Sequence, residues 1–267
     1  MEPQEGLLLC GHGSRNETAV REFLEVTDAL QMRLPDSLIG HGFLEICEPD
    51  LNAALLTLYQ KGCRRISILP GLLFAAGHLK KDIPDIVASF QTSHPDCDVR
   101  LARELGDSED LIDAAVSRIV TGVDQIDRMP VAAKETAVLA VARGSGDEAA
   151  LELFRSIAAD LKSRTGVGEV FPCYASIAQP KFEEGLEDIC SRGYKRILLL
   201  PWFLFTGIII NRLSEQFHSA KSAWPDIEFT ELTYFGNDPA VSATLSKRYL
   251  ELQTDWSAQA AVEKENT

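Results

Sequence analysis

The chain has 267 residues, 45% of them hydrophobic, and its 40 Asp and Glu against 26 Lys and Arg give a formal charge of -14. A chain of this length and composition buries one large core or two ordinary ones, and two domains is the expected division. The negative field opposes nucleic acid and anionic membranes, so neither is an expected partner, and an anionic substrate must be met by a local basic patch.

Cys10, Cys47, Cys63, Cys97, Cys173 and Cys190 form no Cys-x-x-Cys pair. That argues against a zinc ribbon, a redox pair or an iron-sulfur cluster, and predicts reduced, mostly buried thiols. The acidic start Met1-Glu-Pro-Gln-Glu5 precedes only a short apolar run, unlike a secretory signal, so a cytoplasmic location is expected. The longest apolar run, Ile197 to Ile210, holds Pro201 and Gly207 and spans 14 residues, short of the roughly 20 a membrane-spanning helix needs. It predicts a buried strand running into an apolar loop.

The first predicted strand, near 6–10, leads into Leu7-Leu-Leu-Cys-Gly-His-Gly-Ser-Arg15, which places His12 between two glycines ahead of a helix over 16–33. A strand over 38–45 ends in Gly42-Phe-Leu-Glu45 before a helix over 49–61. A strand over 65–70 leads to Ala76-Gly-His78 and a helix over 78–91, followed by a strand over 98–102 and a helix over 108–120. Strands alternating with helices predict a parallel sheet covered on both faces. The polar segment 121–136, with Gly122 and Pro130, is the candidate linker.

The second half repeats the first. Gly13-Ser14 matches Gly144-Ser145, Pro49 matches Pro180, Gly62 matches Gly193, Pro70 matches Pro201 and Phe74 matches Phe205, each pair 131 positions apart. Beyond Phe74 the separation falls to 130, so that Gly77 pairs with Gly207 and Gly106 with Gly236. The expected fold class is therefore α/β, with two duplicated lobes, each a parallel sheet of about four strands flanked by helices, and a cleft between them. The expected division is a first lobe over 1–125, a linker over 126–136, a second lobe over 137–252 and a polar tail over 253–267. A monomer with an internal pseudo-dimer is expected, because the duplication removes the need for a partner copy.

The repeat separates scaffold from chemistry. Glycines, prolines and strand residues survive in both copies, whereas His12 becomes Arg143, Glu45 becomes Ser176 and His78 becomes Ile208. Residues just beyond the carboxyl ends of parallel strands share one crevice. Two imidazoles and a carboxylate there suit a borderline divalent ion such as cobalt, iron, nickel or zinc, with positions left open for exchange. Glu45, on an otherwise apolar segment, calls for a metal, proton or basic partner. Gly11 and Gly13 are expected to let the backbone approach a large ligand. His41 faces either the site or solvent, and His94 and His218 are expected at the surface. Arg15, Lys80, Lys81, Arg143 and Arg212 are candidates to meet substrate carboxylates, Arg143 above all because it replaces a histidine.

A phosphate cradle at Gly11-His-Gly-Ser14 is disfavoured, because the Gly-Lys-Ser/Thr ending of a P-loop is absent and Asn16 stands where a dinucleotide fingerprint has glycine. Ser14 lacks a nucleophile elbow. A histidine phosphatase built on His12 would carry Arg where Gly11 stands.

Leu7-Leu-Leu-Cys-Gly-His12-Gly-Ser14, Gly42-Phe-Leu-Glu45 with Pro49, and Leu69-Pro-Gly-Leu-Leu-Phe-Ala-Ala-Gly-His78 with Lys81-Asp-Ile-Pro84 resemble the sirohydrochlorin chelatases of the CbiX/SirB type. Ala142-Arg-Gly-Ser145, Cys173-Tyr-Ala-Ser176 with Pro180, and Pro201-Trp-Phe-Leu-Phe-Thr-Gly207 resemble the degenerate lobe of their long, two-domain forms. The resemblance covers roughly residues 6–250 and implies a class II chelatase, which inserts a divalent metal into a tetrapyrrole with no further cofactor. The implied catalytic and metal-binding residues are His12, Glu45 and His78. Gly11, Gly13, Ser14 and Arg143 are the implied substrate-binding residues. The implied partners are the tetrapyrrole and cobalt, iron or nickel as the metal substrate, with cobalt for cobalamin the first expectation and iron for siroheme the alternative. A non-catalytic tetrapyrrole or metal carrier is the competing class. The loops Gly71–Phe74 and Trp202–Phe205 are expected to pack on the macrocycle face. The chain lacks the histidine-rich tract and the cysteine cluster of some long relatives.

Overall fold

The computed structural model describes residues 4–75, 77–124 and 130–265, with the side chains of all of these except 78, 255 and 257–265. The candidate linker 126–136 thus lies partly outside the described residues. Eight strands form two four-stranded parallel sheets. The first holds β1 (Gln4–Gly11), β2 (Leu38–Phe43), β3 (Cys63–Pro70) and β4 (Asp98–Leu101) in the order β2-β1-β3-β4. The second holds β5 (Thr136–Ala142), β6 (Glu169–Tyr174), β7 (Arg196–Pro201) and β8 (Glu228–Glu231) in the order β6-β5-β7-β8. Helices α1 (Glu17–Arg33), α2 (Leu51–Gln60), α3 (Ile83–Ser93) and α4 (Glu109–Asp124) follow the strands of the first repeat. Helices α5 (Glu148–Thr165), α6 (Phe182–Ser191), α7 (Ile208–Ala223) and α8 (Pro239–Glu265) follow those of the second.

The central strands carry continuous apolar runs, Leu7 to Cys10 and Ala137 to Ala142, because helices cover both faces. Leu7 to Cys10 on β1 and all of β5 are buried, as parallel sheets require. Leu8, Cys10, Ile66 and Ile68 pack with Leu51, Leu55 and Leu58 of α2 and Ile83 and Phe90 of α3. Leu7 and Leu9 alternate to the opposite face. The second sheet repeats this, Leu139, Val141, Ile197 and Leu199 packing with Phe182 and Ile189 of α6 and Leu213 and Phe217 of α7.

The duplication extends to backbone detail. Gly13 and Gly144 have φ of 93° and 91°, Ile46 and Ile177 have φ of 71° and 59°, and the peptide bonds before Pro49 and Pro180 are cis. A π-helical turn at His78–Asp82 precedes α3, whereas α7 begins as a regular α-helix at Ile208. Leu79 and Ile83 pack into the core of the first unit and Ile209 and Leu213 into that of the second, each pair 130 positions apart as the sequence alignment expects.

By contacts, the chain divides differently from the repeat. One compact unit is Met1–Leu105 with Asn237–Thr267, and the other is Gly106–Gly236. Helix α4, which ends the first repeat, thus packs on the second sheet. Its Gly122 lies against Leu198 and Leu232, where a Cβ would come within 2.8 Å of Leu232. The carbonyl of Val123 accepts from Arg196 at 2.6 Å. Helix α8 packs on the first unit through Arg33–Ser242 at 2.9 Å, Tyr249–Glu5 at 3.0 Å and Arg248 to the carbonyl of Glu104 at 2.9 Å. The segment 253–267, expected as a polar tail, continues α8 to Glu265. It buries Trp256, whose indole N–H donates to Asp98 at 2.5 Å and whose ring lies under Arg100. One tryptophan in a polar stretch gives little periodic signal, so only its pocket reveals the docking.

Candidate functional site

His12 follows β1 directly, Glu45 lies just past β2, and His78 opens the π-turn that follows β3. With β1 between β2 and β3, the chain leaves β1 in opposite directions to its two neighbours. That makes the C-terminal ends of β1 and β3 a topological switch point, where ligands bind in open α/β sheets.

The first two corners are joined by backbone. The pairing of β1 with β2 continues past both strands, the amide of Leu44 donating to the carbonyl of Gly11 at 2.9 Å and that of Glu45 to the carbonyl of His12 at 3.0 Å. The chain then reverses at Ile46, where the amide of Cys47 donates to the carbonyl of Glu45 at 2.7 Å. His12 is half-buried and Glu45 is exposed, so both are accessible to a ligand. The side chain of His78 lies outside those described. Among the described residues no three His, Cys, Asp or Glu side chains gather into an ion-sized group.

The glycines beside His12 are required by the protein's own packing. A Cβ on Gly13 would stand 1.8 Å from the carbonyl oxygen of Glu45, and one on Gly11 would stand 2.8 Å from the ring of Phe23. Ser14 is likewise engaged in the fold, its hydroxyl accepting from the amide of Asn16 at 3.0 Å, while Asn16 caps α1 through Thr18 at 2.9 Å. Ser145 and Asp147 repeat this arrangement in the second copy at 3.0 Å and 3.1 Å.

Of the thiols near the site, burial pushes Cys10 up to about 12, so it stays protonated at neutral pH and is no metal donor. Five of the six thiols are buried, as expected of most of them, and Cys47 is the exception. It is half-buried, and its Sγ accepts from the amide of Ser14 at 3.3 Å and donates to the carbonyl of Ser14 at 3.1 Å. Sequence reasoning missed this link, although Ala178 at the matching position was a signal.

In the second unit the same corner carries other chemistry. Arg143 is exposed, and its carbonyl accepts from the amide and the hydroxyl of Ser176 at 2.9 Å and 3.0 Å. Arg212 donates to the carbonyl of Ala175 at 2.8 Å. Arg15, Lys80 and Lys81 are exposed. His41 packs edge-on to Phe23 and Phe43 on the α1 face of β2, away from the strand ends. His218 is exposed and bonded to Glu231 at 2.8 Å, while half-buried His94 stacks on Phe90. The expectation that Trp202 meets a macrocycle fails, because its side chain is 1% exposed and packs against Phe154 and Phe235. An apolar run after a strand does not reveal which residues turn inward.

A family model, CbiX, matches residues 6–121 and again 137–252. A sirohydrochlorin ferrochelatase of Priestia megaterium is 31% identical over 213 residues, 79% of this chain and 77% of that protein. A sirohydrochlorin cobaltochelatase of the same organism is 29% identical over 249 residues, 91% of this chain and 78% of that protein. The solved structure of SirB from Bacillus subtilis with Fe3+ matches with a TM-score of 0.84 at 24% identity, covering 96% of this chain and 98% of that one. The likeness in fold thus extends over both repeats.

Proposed function

Because this chain belongs to the CbiX family, we propose that it is a class II sirohydrochlorin chelatase, inserting a divalent metal into the tetrapyrrole. The observation that carries the reading is the corner itself. The His12 and Glu45 segments are bonded backbone to backbone at the switch point of the first sheet, while the matching corner of the second sheet holds Arg143 and Ser176. The fold keeps both corners and the ligand-type residues stand at one.

Metallation requires an ion with exchangeable ligands and the removal of two pyrrole protons. In this reading His12 and His78 present the metal, and Glu45 assists in holding it and in passing the two pyrrole protons in turn to solvent. The exposed carboxylate of Glu45 is accessible to the macrocycle edge. Cobalt is the first expectation for the metal substrate. Iron is the second reading, favoured by relatives named as ferrochelatases.

The test is anaerobic absorption spectroscopy of sirohydrochlorin with excess Co(II), Fe(II) or Ni(II), comparing the wild-type chain with His12→Ala, Glu45→Gln and His78→Ala. Multiple turnovers lost at least ~100-fold in the variants support the reading. Binding of the tetrapyrrole without turnover, or equal rates in the variants, moves the assignment to a carrier.

A further inference from the structure

The scaffold bonds of the first corner recur in the second. Leu44 to Gly11 matches Ala175 to Ala142, Glu45 to His12 matches Ser176 to Arg143, and Cys47 to Glu45 matches Ala178 to Ser176, at distances that agree within 0.1 Å: 2.9, 3.0 and 2.7 Å against 2.9, 2.9 and 2.7 Å. The reciprocal bonds between Cys47 and Ser14, at 3.3 and 3.1 Å, have no such counterpart, because the matching residue is Ala178. The second copy builds the same turn without a thiol, so the turn itself does not require one.

We propose that Cys47 is a positioning residue, which ties the Ser14 backbone to the turn after Glu45 and so holds His12 and Glu45 at a fixed separation. The peptide bond between His12 and Gly13 is fixed on one side by the bond from Glu45. Gly13 is free to rotate in a way other residues are not. The thiol closes the loop on the far side of that glycine, accepting and donating at one residue. Its effect on metal binding rests on the chelatase reading, whereas its effect on the loop does not.

Amide exchange at Ser14 reads the tie directly, and Co(II) titration of the protein without tetrapyrrole reads its consequence. In Cys47→Ala, Ser14 exchange is expected to rise about tenfold with Ser145 unchanged, and Co(II) affinity to fall about tenfold. Cys47→Ser, which keeps a donor and an acceptor, is expected to restore most of both. Alkylation of Cys47 by iodoacetamide in the folded wild-type chain removes the S–H donor without refolding and must also speed Ser14 exchange, a check that stands even if the alanine variant does not fold. Unchanged Ser14 exchange overturns the inference, as does unchanged Co(II) affinity despite faster exchange, or a serine variant no better than alanine. A wild-type chain that binds Co(II) but metallates no sirohydrochlorin defeats the function proposed above, and leaves the tie to be judged on exchange and affinity.

Discussion

The amide of Glu45 donates to the carbonyl of His12 across 3.0 Å, so two residues 33 positions apart in sequence are joined at one corner by a backbone hydrogen bond. Gly13 is what permits the approach. With φ of 93° and a Cβ position 1.8 Å from the carbonyl oxygen of Glu45, alanine cannot enter without moving one segment away from the other. Gly13→Ala is expected to destabilise by about 2 kcal/mol or more and to abolish metallation. Gly144→Ala, with 2.1 Å to Ser176, is expected to destabilise similarly while sparing Co(II) binding. Denaturant unfolding with parallel Co(II) titration checks both, and a fully stable Gly13→Ala chain would contradict the geometry.

Arg196 anchors α4 to the second sheet. Its side chain is 1% exposed, bonded to Glu228 at 2.7 and 2.9 Å and to the carbonyl of Val123 at 2.6 Å. Removing one partner of a buried pair strands the other charge, so Arg196→Met is expected to cost about 3 kcal/mol or more. Adding Glu228→Gln should recover part of that. Urea midpoints of the single and double variants decide it, and additivity would count against a coupled pair.

Trp256 docks the end of α8 on the first unit. At 3% exposure, Trp256→Ala is expected to cost about 3 kcal/mol. A chain ending at 252 should lose at least as much by thermal or chemical unfolding, where a truly solvated tail would lose nothing.

Glu251 gives α8 docking a pH dependence. Burial alone would raise its carboxyl, but the hydrogen bond from Arg103 and the charges of Arg248 and Arg103 outweigh this and hold it below the usual glutamate value. A depressed folded pKa contributes stability above the unfolded value, near ~4.3, and that contribution disappears as pH falls through the folded value. The side chain is 46% exposed, so screening limits the effect. Glu251→Gln is expected to cost about 0.5 kcal/mol at neutral pH and nothing in acid, measured as the difference in unfolding free energy against pH.

The cysteines should label unequally. Burial raises Cys63 and Cys173, pushes Cys97 and Cys190 to about 11 and Cys10 to about 12, and the thiolate is the reactive form. Those five are buried, whereas Cys47 is half-buried and open to a reagent. Native protein is expected to take up one equivalent of iodoacetamide quickly, with the modification mapping to Cys47 by mass spectrometry, and all six to react after unfolding. Rapid labelling of Cys10 would contradict its burial.

The duplication and the order of strands and helices were legible because parallel strands buried on both faces read as continuous apolar runs and amphipathic helices carry a 3.6-residue period. The corners were legible because His12, Glu45 and His78 interrupt a repeat that is otherwise kept. Two things were not. The tie from Cys47 to Ser14 spans 33 positions, so no local pattern marks it. Trp202 has the composition of a ligand-facing loop and the environment of a core.

The sequence by itself determined the repeated α/β unit, the alternation of strands and helices along the chain, and the strand-end segments that carry His12, Glu45 and His78. Only the tertiary structure decided which sheet the last helix of each repeat covers: α4 lies with Gly106–Gly236 and α8 with Met1–Leu105. An apolar helix face specifies that it must be buried, and two sheets with the same strand order and the same pattern of inward residues offer it equivalent grooves. The choice falls to contacts far apart in the chain, such as Arg196 with the carbonyl of Val123 and Trp256 with Asp98.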